Sequence, residues 1–466
     1  MTYFLNFMGT ITDCNNNITW SNKELLRLIR EKTNEYKLKG LEADDIVIIA
    51  HSKLPDFFVE LLALWNIGSC VAVLNPNITK SEINNIIKFL KPYLVIDPQK
   101  VSYYQSNKKI NKNTFKAIDN KALILFTSGT TGSPKAVVHS FRSLISRFTL
   151  NNIFIGTNTL TNSLCLLPFH FGHGLIGNCL SVLFNNGHLY ILENNLANLS
   201  NIDTYLKKYN ITFLSSVPSL WKSILKLRPD ISDPINLKRI QIGSAPLSST
   251  LWEQVVEWSK GKEVINAYGI TETANWAAGA SSIDKIEDGL VGKMWGGFMA
   301  LLNTKNEITT FGEGEIILKT PSLMTEYFKN KELTSNVFNN GWYKTGDIGY
   351  LENDIMKIIG RSKNEINRAG LKINPEELDT LIEKHNLIHE ACAFGAPDDI
   401  LGEKVYVAVV PLEKNKIKPE TMKAWLSDKI SQEKIPERWF FLDNIPKNDR
   451  GKINRKNILE ACLENE

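Results

Sequence analysis

Leu123-Ile-Leu-Phe126 runs into Thr127-Ser128-Gly129-Thr130-Thr131-Gly132-Ser133-Pro134-Lys135, and Ala136-Val-Val-His139 follows. Such a string suits a polyphosphate: glycines let backbone N–H groups close in, hydroxyls add donors, and Lys135 adds positive charge. It is not a Walker A loop, in which Gly-Lys-Ser/Thr stand together and open a helix. Here Ser133 and Pro134 intervene, and an apolar β-like segment follows. A second group is Tyr268-Gly-Ile-Thr271-Glu272. It offers an aromatic face, a hydroxyl, and a carboxylate of the kind that holds a hard cation against phosphates. Alone these would read as a core tyrosine and a solvated glutamate; beside the first string they read as parts of one nucleotide site. Near the C-terminus a Gly-Lys pair places Lys452 among Lys447, Arg450 and Arg455. By itself a basic cluster is a solvated face or an anion patch.

The elements that must position these residues begin with Ser21-Asn-Lys-Glu24, a capping box that opens an amphipathic helix through about Tyr36. Asp45–Ala50, Cys70–Leu74 and Tyr93–Asp97 read as strands, with helices over Pro55–Ile67, stopped by Gly68, and over Ser81–Leu90. Strands alternating with helices imply parallel βαβ units, and the pattern continues through Leu123–Phe126, Thr212–Ser215 and Ile240–Ile242. Past Gly341 the texture changes, with a strand over Asp354–Ile359 and a polar stretch, Arg361-Ser-Lys-Asn-Glu-Ile-Asn-Arg368. A compact α+β pattern follows: a helix from Pro375, strands Ala391–Phe394 and Val405–Val410, a helix Pro419–Ile430, and a strand Trp439–Leu442. The fold class is therefore α/β. A boundary at Gly360–Lys363 divides a large N-terminal domain of βαβ-type sheets, 1–360, from a small α+β C-terminal domain, 361–466.

The nine-residue string is similar, position for position, to the phosphate-loop signature of the adenylate-forming (AMP-binding) superfamily. That superfamily holds acyl- and aryl-CoA synthetases, adenylation domains of peptide synthetases, and luciferases. Four further stretches follow in the superfamily's order: Gly243-Ser244-Ala245-Pro246; Asn266-Ala-Tyr-Gly-Ile-Thr-Glu-Thr273; Trp342-Tyr-Lys-Thr-Gly-Asp347 with Gly360-Arg361; and Pro446-Lys-Asn-Asp-Arg-Gly-Lys452. The resemblance spans Leu123 to Arg455. It implies ATP-dependent activation of a carboxylic acid as an acyl-adenylate, then transfer to a thiol, with ATP, Mg²⁺ and coenzyme A as the cofactors. It further implies that Thr127, Ser128, Gly129, Thr130, Thr131, Gly132 and Lys135 grip the phosphates, and that Gly243, Ser244 and Ala245 line the adenine site, where close approach needs small residues. Tyr268 stacks on adenine, Asn266 hydrogen-bonds the base edge, Thr271 contacts the α-phosphate and Glu272 holds Mg²⁺. Asp347 takes the ribose hydroxyls, and Arg361 makes a second ribose or phosphate contact. Lys452 lies between substrate carboxylate and α-phosphate, where an ammonium offsets repulsion between two anions in the transition state. Lys363 is the pivot of a mobile C-terminal domain, and Gly370 borders the thiol tunnel. One departure is Asn364, where many members of the superfamily carry Asp.

Pro168-Phe-His-Phe-Gly-His-Gly174 stands where the superfamily lines its acyl pocket. Amino-acid activators present an Asp there; this chain presents His170, as many acyl- and aryl-CoA synthetases do. Phe171, His173 and the Asn275-Trp276 pair suggest a bounded pocket for a small or aromatic acid. Asn266-Ala-Tyr-Gly leans the other way, toward amino-acid activators. The acceptor is coenzyme A or the phosphopantetheine of an acyl carrier protein, and His170 favours coenzyme A.

The bulk composition agrees with an enzyme of this kind. At 466 residues the chain exceeds one ordinary core. Its 43% hydrophobic and 22% charged residues are those of a globular protein, and a net charge of +4 does not advertise nucleic acid. Six scattered cysteines form no Cys-x-x-Cys pair, which suits a reducing compartment. With no signal peptide and no apolar run of about 18 residues, the expectation is a cytoplasmic protein without membrane insertion. A P-loop kinase lacks its loop here, and a degenerate binding relative is disfavoured by the presence of Glu272 and Lys452. A luciferase-type oxidation stays open on motifs alone.

Overall fold

The structure, a computed structural model, describes residues 9–97, 101–103, 118–127, 135–227, 236–361, 364–368, 371–398, 401–413, 417–447 and 452–464. Three sheets organise these residues. The first has seven strands in the spatial order Glu326–Tyr327, Lys135–Ser140, Lys121–Thr127, Cys70–Val73, Ile46–Ile49, Leu94–Ile96 and Val101–Tyr103. Its centre is parallel. Ile46-Val-Ile-Ile49 and Cys70-Val-Ala-Val73 are apolar throughout because helices cover both faces of such a sheet. The helix Asp56–Ile67 makes one crossover and ends at Gly68, whose φ of +93° is the left-handed cap a glycine adopts freely. The helix Asn22–Leu38 opens on Ser21, whose hydroxyl accepts from Glu24 N.

The second sheet has fifteen strands and changes character partway. His188–Ile191, Asn162–Cys165, Phe213–Ser216, Arg239–Gly243 and Glu263–Ile270 run parallel. From Asn275–Ser281 onward every neighbour along the path is antiparallel, through Leu290–Met294, Ile355–Arg361, Trp342–Glu352 and Gly312–Lys319. The βαβ pattern expected of the whole large domain therefore holds only to Ile270. Beyond it, two-residue reversals such as Asn353-Asp354, both at positive φ, replace crossover helices.

Sheet membership changes between Arg361, the end of a strand in the large sheet, and Ile366, which opens a separate five-stranded sheet. That sheet pairs Ile388–Asp398 with Gly402–Pro411, and Arg438–Phe441 runs parallel to the latter. It has its own core of Ile366, Ile382, Val407, Leu426 and Trp439. The helix Pro419–Ser427 stops short of the expected Ile430. Ion pairs tie this C-terminal unit to the rest: Lys384 to Asp288 at 2.6 Å, and Lys222 to Glu383 and Glu390 at 3.7 and 3.8 Å. All six cysteines are buried and reduced.

Candidate active site

The parallel strands Phe213–Ser216, Arg239–Gly243 and Glu263–Ile270 end side by side, and ligands of open α/β sheets bind outside such carboxyl ends. A cavity of about 300 Å³ lies there. Its walls include His170, Phe171 and His173 from the acyl-pocket motif, Ser244, Thr271 and Asn275 from the strand ends, and Lys452 from the C-terminal unit. Three of the five motif stretches thus border one space together with the acyl-pocket motif, though 282 positions separate His170 from Lys452.

Beside this cavity Tyr268, Asp347 and Arg361 form one unit. The Tyr268 hydroxyl donates to Asp347 Oδ2 at 2.6 Å, and Arg361 Nε donates to Oδ1 at 2.6 Å. Burial holds the Tyr268 phenol far above its usual pKa, with the Asp347 charge adding to it, so the hydroxyl stays a donor. The Asp347 carboxylate in turn strengthens the Arg361 guanidinium. Antiparallel pairing of Trp342–Glu352 with Ile355–Arg361 sets Asp347 opposite Arg361 in register.

Glu272 sits on a short 3₁₀ turn, Thr271–Thr273. Its Oε1 accepts from the Tyr327 hydroxyl at 2.7 Å, and its backbone carbonyl accepts from Met324 N at 2.7 Å. The Tyr343 hydroxyl lies 3.0 Å from that of Tyr327, and Lys135 Nζ lies 5.3 Å from the Tyr327 ring centroid. One tyrosine therefore brings Lys135 and Glu272 into a common neighbourhood. Tyr327 carried no signal in the sequence, because its strand is two residues long and isolated in the chain.

Thr271 is held from behind. His139 Nε2 donates to the Thr271 carbonyl at 2.8 Å, and burial pushes the His139 pKa down to about 4, so the ring is neutral. His173 bridges Ser244 Oγ at 2.8 Å and Ser215 Oγ at 2.7 Å. A neutral imidazole has one donor and one acceptor, so one serine donates to it and the other accepts; burial drives its pKa to about 3. Ser244 itself has φ +71°, unusual for a residue other than glycine.

Other expected residues fall variously. Thr127 and Gly243 end their strands, and Ala245 follows in the loop beyond. The Asn266 side-chain amide donates one hydrogen bond to the Leu290 carbonyl at 2.7 Å. The basic cluster around Lys452 also resolves. Lys447 pairs with Glu390 at 2.5 Å, and Arg455 is buried against Asp379 at 2.6 Å and the Ala393 carbonyl at 2.6 Å. Neither is an anion patch. Asn364 donates to Glu376 Oε1 at 2.6 Å, where an aspartate would set two carboxylates together. Ser128, Gly129, Thr130, Thr131, Gly132, Lys363 and Gly370 lie outside the described residues.

Comparison with known proteins matches these features. A family model described as AMP-binding enzyme matches residues 10–328, and one for the AMP-binding enzyme C-terminal domain matches 377–452. The chain is 32% identical to an oxalate–CoA ligase of Arabidopsis thaliana, over 74% of this chain and 68% of that one. It is 27% identical to a 2-succinylbenzoate–CoA ligase of Listeria monocytogenes, over 90% of each. ATP-bound MatB of Rhodopseudomonas palustris has the same fold, with a TM-score of 0.85 at 22% identity, covering 99% of this chain and 98% of the other. With its phosphate-loop string, its Tyr268–Asp347–Arg361 unit and its cavity-facing Lys452, the chain belongs to the AMP-binding enzyme family.

Proposed function

We propose that this enzyme activates a carboxylic acid with ATP, releases pyrophosphate, and passes the acyl group from the adenylate to the thiol of coenzyme A with release of AMP. One observation carries the reading: Lys452 reaches, from the C-terminal unit, into the same cavity as Thr271 and His170. In the first step a substrate carboxylate oxygen attacks the α-phosphorus and the bond to pyrophosphate breaks. Two anions meet there, so a cation fixed between them is worth most in the transition state. In this reading Lys452 is that cation, the Thr271 hydroxyl meets a non-bridging α-oxygen, and Lys135 meets the leaving phosphates. His139 positions Thr271 without carrying charge.

Glu272 suits Mg²⁺. No group of three or more potential ligands occurs among the described residues, and this ion is commonly held by one carboxylate together with substrate phosphates and waters. The Tyr327 hydroxyl fixes one Glu272 oxygen and thereby orients the other. Bound there, the ion would neutralise phosphate charge.

The C-terminal unit, 361–466, turns about Lys363 between the two half-reactions, and Gly370 borders the path of the thiol. A cytoplasmic location fits six reduced cysteines, and among the described residues no helix is long and apolar enough to cross a membrane. The test is pyrophosphate release with Mg·ATP across fatty, aryl, hydroxy and amino acids, with and without coenzyme A. Release that needs one class of acid, together with a thioester product, supports the reading. Acid-dependent release indifferent to coenzyme A replaces the acceptor by a carrier-protein phosphopantetheine, and no release with any acid defeats it.

A further inference from the structure

Resting on the acid-activating reading above, we infer that Arg455 is a positioning residue for the adenylation half-reaction. It clamps the start of the terminal helix, Arg455–Glu464, to Asp379 and to the Ala393 carbonyl, and so holds Lys452, three residues upstream, at the cavity.

A lysine ends in a point charge on a flexible stem, so where its ammonium can act depends on how its backbone is held. Lys452 lies outside the helices and strands, and the residues around it supply the anchors. On one side Ile453 pairs antiparallel with Lys447, whose Nζ meets Glu390 at 2.5 Å. On the other stands Arg455. Its Nη2 donates to Asp379 Oδ2 at 2.6 Å and its Nη1 to the Ala393 carbonyl at 2.6 Å. Asp379 Oδ1 accepts from Ala393 N at 2.5 Å, so three residues from three elements close a ring of hydrogen bonds. Glu376, one turn before Asp379 on the helix Pro375–Glu383, places Oε1 3.3 Å from Arg455 Nη2. The same oxygen accepts from Asn364, the residue after Lys363.

Local preference does not account for the arginine. It opens its helix, where the macrodipole disfavours a cation. Its planar fork, unlike an ammonium, reaches a carboxylate and a carbonyl at once. Asp379, Glu376 and Ala393 all belong to the C-terminal unit, so the clamp travels with that unit and acts on what it carries. Lys452 is the only described residue of that unit that lines the cavity. Loss of the clamp therefore reaches the chemistry through the lysine, and only in the step that uses it.

The test measures the two half-reactions separately, with the acid that wild-type enzyme accepts: ATP–pyrophosphate exchange, and thioester formation from supplied acyl-adenylate and coenzyme A. Arg455→Ala is expected to lower kcat for exchange on the order of ten- to a hundredfold, the scale of a misplaced catalytic group, with the KM values for ATP and acid little changed. Thioester formation, which needs the same unit folded, is expected to stay near the wild-type rate. Lys452→Ala combined with Arg455→Ala is expected to exchange no more slowly than Lys452→Ala alone, because the arginine acts through the lysine. Arg455→Lys keeps the charge but cannot bridge both partners. It is expected to slow the same step by a smaller factor, and it decides the matter if the alanine variant unfolds. Three results overturn the inference: an unchanged exchange rate, losses that multiply in the double variant, or equal loss in both half-reactions by a variant with wild-type circular dichroism. Wild-type enzyme that shows no exchange with any acid is a separate result, which removes the acid-activating reading itself.

Discussion

Tyr268 and Asp347 stand 79 residues apart in the chain and share a 2.6 Å hydrogen bond, with Arg361 closing on the other carboxylate oxygen at 2.6 Å. The carboxylate is only 2% exposed and is held on both sides by donors. It is therefore a carboxylate fixed between two donors rather than the turn former that Gly346-Asp347 suggests in isolation.

If that anion accepts from ribose hydroxyls, Asp347→Asn keeps its shape and loses its charge. A hydrogen bond to a charged group contributes about 1.5–3 kcal/mol, so the KM for ATP is expected to rise roughly ten- to a hundredfold with a much smaller change in the KM for the acid. Steady-state kinetics with each substrate varied decides it; an unchanged KM for ATP removes Asp347 from nucleotide binding.

Lys452→Ala is expected to lower acid-dependent pyrophosphate exchange by about 10²–10³-fold, the scale for losing one transition-state charge contact. Thioester formation from a supplied acyl-adenylate is expected to fall far less. Equal losses in both half-reactions would mean that the lysine supports the fold or general binding instead.

The buried histidines make the fold acid-sensitive. His139 and His173 are neutral when folded, with pKa values pushed to about 4 and about 3, whereas an unfolded histidine titrates near 6.5. Below pH of about 6.5 the unfolded chain takes up protons that the folded chain refuses. Their stabilising contribution is thus complete above that pH and is lost as pH falls toward 4 and 3. At pH 5 the loss is about 2 kcal/mol for each ring. Urea midpoints from pH 8 to 4.5 would measure it, and His173→Asn should flatten the profile. A flat wild-type profile would refute the assignment of buried neutral rings.

The ion pairs from Lys222 and Lys384 to the C-terminal unit are partly exposed, so each is worth about 0.2–1 kcal/mol and is screened by salt. If they favour the orientation that places Lys452 at the cavity, the double substitution Lys222→Ala with Lys384→Ala should slow adenylation by about two- to tenfold. Thioester formation from supplied adenylate should be unchanged or faster, and raised salt should mimic the variant. An equal effect on both steps would remove the orienting role.

How far the sequence could be read depended on how local each relation is. Cys70–Val73 and Ile46–Ile49 are legible because burial on both faces demands continuous apolar runs. Asn275-Trp-Ala-Ala-Gly-Ala-Ser281 carries neither alternation nor branching, so the strand with which the large sheet turns antiparallel left no periodic trace. Within the site, Thr271, Glu272 and Lys452 could be marked because their motifs are contiguous. Tyr327 on Glu272, His139 behind Thr271 and Arg455 against Asp379 could not, since each bond joins segments more than 50 residues apart. Asn266 shows the converse: its motif is plain, but one of its hydrogen bonds goes to Leu290, a partner that only strand pairing reveals.

The burial of all six cysteines bears on the chemistry as much as on the core. An acyl-adenylate is a potent acylating agent, and a thiolate of the enzyme itself within reach would intercept it. Burial drives the Cys14 and Cys70 thiols up to about 12, so at neutral pH they are essentially never the nucleophilic thiolate. An enzyme so built can hold its mixed anhydride without self-acylation and yield it only to a thiol arriving from outside.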